Sequence, residues 1–248
     1  MKCLLKEMQQ WVQTYIKGFY TEDADIQENI LRKEEHTDYV VRISKELAIA
    51  LGLNEHDLLL AQMIGLFHDI GRFHQYTVYR TFNDRVSVNH ALYGLDIIKD
   101  LSLLKKLDAV DLQVFTFAIA NHNATDIDAS GSKREILFAK LIRDADKLDI
   151  YRVLEPLIPP DDGSAYSPVF VQSFLKGEQC DFAYMKTTAD RKLVRLLWLY
   201  NINFAWTMQK LIERKYADEI IRHLPNNEIT RQGVVVLKAY MAKKAKES

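Results

Sequence analysis

Apolar residues return every three or four positions along almost the whole of this chain, and no stretch keeps the strict alternation of a strand. That one period restricts the fold to helices packed on helices, an all-α architecture. Only five prolines and nine glycines punctuate the 248 residues, and they fall mostly where the period breaks. The pattern predicts helices over 3–17, 23–33, 36–51, 55–69, 88–100, 109–123, 133–150, 168–177, 187–215 and 226–243. The segment "LLLAQMIGLF" (58–67) is apolar almost all round, which marks it as the central helix. Three polar connections interrupt the pattern: "GRFHQYTVYRTFNDRVS" (71–87), "ATDIDASGSKR" (124–134) and "PLIPPDDGSAYSP" (156–168). The last divides a helical core, 1–155, from an aromatic-rich segment, 156–248, expected as a C-terminal helical extension packed on that core and not independent of it.

A formal charge of −1 and the lack of a long basic block give no electrostatic case for a nucleic-acid partner. Cys3 and Cys180 neither form a disulfide framework nor match a zinc-finger spacing, so a reducing cytoplasm is the expected setting. The N-terminal apolar residues are spaced as one face of an amphipathic helix, not as the continuous run of a signal peptide. No uncharged run approaches membrane-spanning length.

Seven histidines are present, and four fall on apolar faces of predicted helices. His36 is in line with Val40, Ile43, Leu47 and Ala50; His68 follows Ala61 and Ile64; His90 lines up with Gly94, Ile97 and Leu101; His122 ends a helix behind Phe115, Ala118 and Ile119. Asp146, after Ala139 and Ile142, behaves the same way, and Asp69 adjoins His68. One inward histidine is usually a hydrogen-bonded core residue. Four of them, with two aspartates, from five helices call for a common partner. Imidazole and carboxylate together suit a first-row divalent ion: Mn, Fe, Co, Ni or Zn. His56 and His223 are expected to be solvated or to favour a helix end, and His74 to lie in the loop after Asp69.

The ordered pieces "EEHTDYV", "FHDIGR", "VNHALYG", "ANHN" and "RDADKLD" resemble the HD superfamily of metal-dependent phosphohydrolases over roughly residues 30–150. The resemblance implies an HD-domain helical bundle. It implies a core metal quartet of His36, His68, Asp69 and Asp146, with His90 and His122 for a second ion and Asp69 bridging both. Asp146 is preferred over Asp144 and Asp149 by its place before Lys147-Leu148 and on the inward face. Arg72 stands where the cyclic-di-GMP phosphodiesterase branch usually has Lys, and no Gly-Tyr-Pro follows "ANHN", so the subfamily stays unassigned.

The implied function is a hydrolase acting on a nucleotide or other small phosphoester through a metal-activated hydroxide. Asp69 and Arg72 are the expected catalytic residues, and Arg72, Arg80 and Lys147 the expected substrate-binding cations. Gly71 is expected to let the chain turn tightly between Asp69 and Arg72. Two other readings fit the same ligands: an HD-fold di-iron oxygenase, and a nucleotide- or metal-sensing module.

Overall fold

The structure is a computed structural model that describes residues 1–154, 157–158 and 162–247, with only the backbone of Ala183. It is all-α: among the described residues there is no strand. The chain divides into two compact units, Met1–Asp149 and Ile150–Ser248. The boundary expected between residues 155 and 156 lies outside the described residues, as does part of the linker expected at 156–168.

In the first unit the helices are α1 (Lys2–Lys17), α2 (Ala24–Ala50), α3 (Glu55–Phe67), α4 (Ile70–Tyr79), α5 (His90–Ile98) and α6 (Ala109–His122); α7 runs Lys133–Leu154. Several starts are written locally. Asp23, Asn54, Asn89 and Asp108 each stand at an N-cap in extended backbone and accept a hydrogen bond from a first-turn amide. The central helix α3 buries Leu60, Ala61, Met63, Ile64, Leu66 and Phe67 and packs against α2, α1 and α6. Burying six such side chains contributes on the order of 10 kcal/mol before chain entropy is counted.

Two glycine contacts set helix spacing near the histidines. A Cβ on Gly71 would lie 2.3 Å from the His90 carbonyl oxygen, and one on Gly94 would meet the Ile70 side chain at 2.9 Å. The backbones of α4 and α5 therefore touch where His90 begins its helix. This corrects the sequence expectation in two ways. Residues 71–79 are helix, not loop, and Gly71 serves close approach of α5 instead of a tight turn.

Other boundaries also differ. The helices expected at 23–33 and 36–51 are one, because nothing in "KEE" interrupts the helical backbone. The single helix expected at 187–215 is instead α9 (Thr188–Leu197), a 3-10 turn (Trp198–Asn201) and α10 (Ala205–Glu213). The second unit also holds α8 (Pro168–Lys176), α11 (Tyr216–Arg222) and α12 (Glu228–Lys244). Its core includes Phe170, Phe174, Leu196, Leu199, Met208, Leu211 and Leu237. Thr187 and Asp190 form a capping box at the start of α9, and the buried Asp190 carboxylate also accepts from the Ser167 and Lys186 amides.

Candidate metal centre

His68 closes α3, and Asp69 stands at the N-cap position of α4. An aspartate there normally caps its own helix. Asp69 makes no such bond, and its two oxygens face different partners. Oδ2 lies 3.5 Å from His36 Nε2 and 3.6 Å from His68 Nε2. Oδ1 lies 3.2 Å from His90 Nε2 and 3.7 Å from His122 Nε2. Asp146, on α7, extends the first set: its Oδ1 is 3.1 Å from His36 Nε2 and 3.7 Å from His68 Nε2. All six side chains expected as ligands thus lie together, contributed by α2, the α3–α4 junction, α5, α6 and α7. The four histidines and Asp69 are buried.

The other ring nitrogen of each histidine is held by an oxygen. His36 Nδ1 is 2.7 Å from Asp149 Oδ2, His68 Nδ1 is 2.8 Å from the Gly65 carbonyl, His90 Nδ1 is 2.6 Å from Asp84 Oδ2, and His122 Nδ1 is 2.7 Å from the Ile119 carbonyl. A carbonyl only accepts, so Nδ1 of His68 and His122 carries the proton and Nε2 presents a lone pair. The same tautomer follows for His36 and His90 opposite ionised carboxylates. Four lone pairs consequently converge on the Asp69 and Asp146 oxygens.

That convergence fits a divalent cation. Nε2 of His36 and of His68 is buried with no hydrogen-bond partner. His90 Nε2 and His122 Nε2 stand 2.9 Å apart, a repulsive contact for two neutral acceptors. Ligands about 2.0–2.2 Å from one ion, at right or tetrahedral angles, stand roughly 2.8–3.6 Å from one another. The separations seen here run from 2.9 to 3.7 Å, within that range or just beyond its upper end. His36, His68 and Asp69 form one group able to hold a metal, and Asp69, His90 and His122 another.

The charge pattern agrees. Burial opposes ionisation of Asp69, but the Lys33 ammonium and the surrounding histidines outweigh it and hold its carboxyl well below the usual range. Burial is likewise overcome at Asp146, where the adjacent His36 and His68 imidazoles hold its carboxyl well below the usual range. Burial pushes His122 down to about 4, reinforced by His90 and His68 and only partly offset by Asp69, so its imidazole is neutral at pH 7. At His36, burial and Lys33 disfavour charge, but Asp146 and Asp149 prevail and raise its pKa.

Lys33 was not singled out from sequence. Its Nζ lies 2.6 Å from Asp69 Oδ2 and 5.3 Å from the centre of the Phe82 ring. It sits one helical turn before His36, a spacing that could have pointed to it. Asp84 and Asp149 were also missed as partners of the clustered histidines His90 and His36. Their histidines approach from other elements, and no local pattern announces the pairing.

The expected substrate cations fare differently. Arg72 Nη1 donates to Gln75 Oε1 (2.7 Å), the Phe82 carbonyl (2.6 Å) and Asp84 Oδ1 (2.8 Å), and Nε lies 3.5 Å from Asp69 Oδ1. That guanidinium is built into the protein. The Arg80 guanidinium binds Asp23 and Asp25 at the start of α2, with Arg80 itself in left-handed backbone at φ 54°. No bond joins it to the six-residue cluster among the described residues. Lys147 is half-buried beside Asp146; burial, then the Arg143 charge, brings its ammonium down to about 8. His74 lies on α4 against Tyr93, and His56 is exposed, as expected, with Nε2 2.6 Å from Asp111 Oδ2. His223 is at the C-cap of α11, 3.4 Å from Glu219.

Residues 34–151 match the family model for the HD domain. The chain carries an HD domain. That match spans every one of the six clustered residues. HD domains bind divalent metals and are typical of metal-dependent phosphohydrolases, whose substrates are small phosphorylated molecules. Comparison with curated proteins and with solved structures gives no match. No described helix is long and apolar enough to cross a membrane.

Proposed function

We propose that the HD domain of this chain is a metal-dependent phosphohydrolase that acts on a nucleotide or another small phosphoester. In this reading His36, His68, Asp69 and Asp146 hold one divalent ion, and Asp69, His90 and His122 hold a second. The observation that carries it is the division of Asp69: each carboxylate oxygen faces its own set of imidazole lone pairs. Divalent ions there would supply Lewis acidity and a nucleophile drawn from water at neutral pH.

The chain's own residues do the remaining work. Asp149, Gly65, Asp84 and Ile119 keep each imidazole in the tautomer that offers Nε2. Asp69 stays ionised, with Lys33 as its counter-charge. Lys33 is the cation best placed to meet a phosphoryl oxygen, because it already reaches the cluster from a half-buried position. Arg72 is assigned to holding Asp69 and Asp84 in place, and this replaces the phosphate contact first expected of it.

The test is a phosphate-release screen over nucleoside mono-, di- and triphosphates and sugar phosphates, each with Mn, Fe, Co, Ni and Zn. Release with at least one pair, abolished by Asp69→Asn, is expected. Oxygen-dependent turnover of a substrate without phosphate release would overturn the reading.

A further inference from the structure

Asp84 lies in the segment between α4 and α5, at the start of a 3-10 turn (Asp84–Val86). Its side chain is only partly exposed, and its two oxygens serve different elements. Oδ2 accepts from His90 Nδ1 at 2.6 Å and from Asn123 Nδ2 at 2.9 Å, at the ends of α5 and α6. Oδ1 accepts from Arg72 Nη1 at 2.8 Å and from Gln75 Nε2 at 2.9 Å, both on α4.

Those α4 donors also hold the rest of the segment. Gln75, fully buried, donates to Ser87 Oγ at 2.8 Å and to the Val88 carbonyl at 3.0 Å. Arg72 donates to the Phe82 carbonyl, and the Phe82 ring sits near both Lys33 (5.3 Å) and Arg72 (5.7 Å). A surface connection ordinarily leaves its polar groups to water. Residues 82–88 are instead tied to the cluster, and Asp84 is the common point.

The four histidines are not supported alike. His68 and His122 lean on carbonyls of their own helices. His36 leans on Asp149, which is fully buried on α7. His90 alone depends on a side chain from a segment outside the long helices. The orientation of its Nε2 toward Asp69 and His122 is therefore only as secure as that segment.

We propose that Asp84 is a positioning residue that couples residues 82–88 to the His90–His122 half of the centre, so that this half takes up its ion and the segment orders together. The inference rests on reading the cluster as a metal centre. An Asn at this position could still accept from His90, but it would turn an amide toward Arg72 or Gln75 and lose the charge that orients Nδ1–H.

The test titrates metal-stripped protein with Co²⁺, following its visible absorption and the number of ions bound, and repeats hydrogen exchange of residues 82–88 with and without Co²⁺. In wild type, two ions are expected and exchange in 82–88 should slow on loading. In Asp84→Asn one of the two ions, the one the proposal assigns to the His90–His122 half, should lose about 10–100-fold in affinity with an altered spectrum. The other ion should bind as before, and the loading effect on 82–88 should shrink. Normal uptake of that other ion shows that the variant is folded. Asp84→Glu, which keeps the charge, should recover part of the loss. Wild type that binds no Co²⁺ would overturn the metal reading and this inference with it. Wild type that binds two ions while Asp84→Asn binds both equally well, or shows the same slowing of 82–88, would overturn this inference alone.

Discussion

Asp149 Oδ2 lies 2.7 Å from His36 Nδ1, although 113 residues separate the two in sequence. One turn earlier on the same helix, Asp146 reaches the opposite nitrogen of the same ring at 3.1 Å. A single turn of α7 thus both supports and faces His36. Replacing Asp149 by Asn should weaken metal uptake about 10–100-fold by loosening the imidazole's tautomer and orientation. Measured by competition with a chelator, unchanged affinity would show that Asp149 has no such role.

Gly71 should tolerate no side chain. Its would-be Cβ falls 2.3 Å from the His90 carbonyl, a backbone atom that only a shift of α5 can move. Gly71→Ala is expected to cost about 1–3 kcal/mol in denaturant unfolding, as overpacking does. It should reduce occupancy of the His90–His122 half more than that of the other. Stability and occupancy equal to wild type would mean that α4 and α5 do not approach as described.

The positions of the six clustered residues were legible because each histidine, and Asp146, falls on an apolar helical face at spacings of three or four. What surrounds them was not. Asp149 and Asp84 acquire their roles from rings on other helices, and nothing within a few residues of either signals that. Residues 71–79 read as loop because Gly71, Thr77 and Val78 are weak helix formers. Contact with α5, through Ile70, Gly71 and their neighbours, overrides that weak local preference. The break between α9 and α10 was hidden for the opposite reason. Its residues, Trp198 to Phe204, are largely apolar and continue the helical pattern while the backbone leaves it.

Acidification should destabilise the metal-stripped protein. His122 has its pKa lowered to about 4, below the ordinary 6.5, so the unfolded chain binds the proton first. Its contribution is present above pH 6.5 and is lost as pH falls toward 4, up to about 3 kcal/mol over that window. His36 is raised and acts in the opposite sense, losing its contribution as pH climbs through its folded value. Asp69 and Asp146, both lowered, add a loss only below the ordinary carboxylate range. The expected result is a fall in melting temperature between pH 6.5 and 4 that is shallower in His122→Asn. Equal slopes would contradict the neutral, buried state of His122.

A metal ion held by Asp69 would compete with the Lys33 ammonium, which lies 2.6 Å from Oδ2. Lys33→Met removes the competitor, so metal should bind at least as tightly as in wild type. Phosphate release should fall by roughly 10²–10³, the loss typical of one strong charge-stabilising donor. Weaker metal binding with unchanged turnover per loaded site would reverse this assignment.

The central claim is that Asp69, whose two oxygens face different pairs of histidines, would help to hold two ions. The most direct measurement is the number of divalent ions bound per chain, by elemental analysis after anaerobic reconstitution and removal of free metal. Wild type should hold two, His122→Ala should retain one, and Asp69→Asn should fall below one. One ion in fully loaded wild type, or two in Asp69→Asn, would contradict the account.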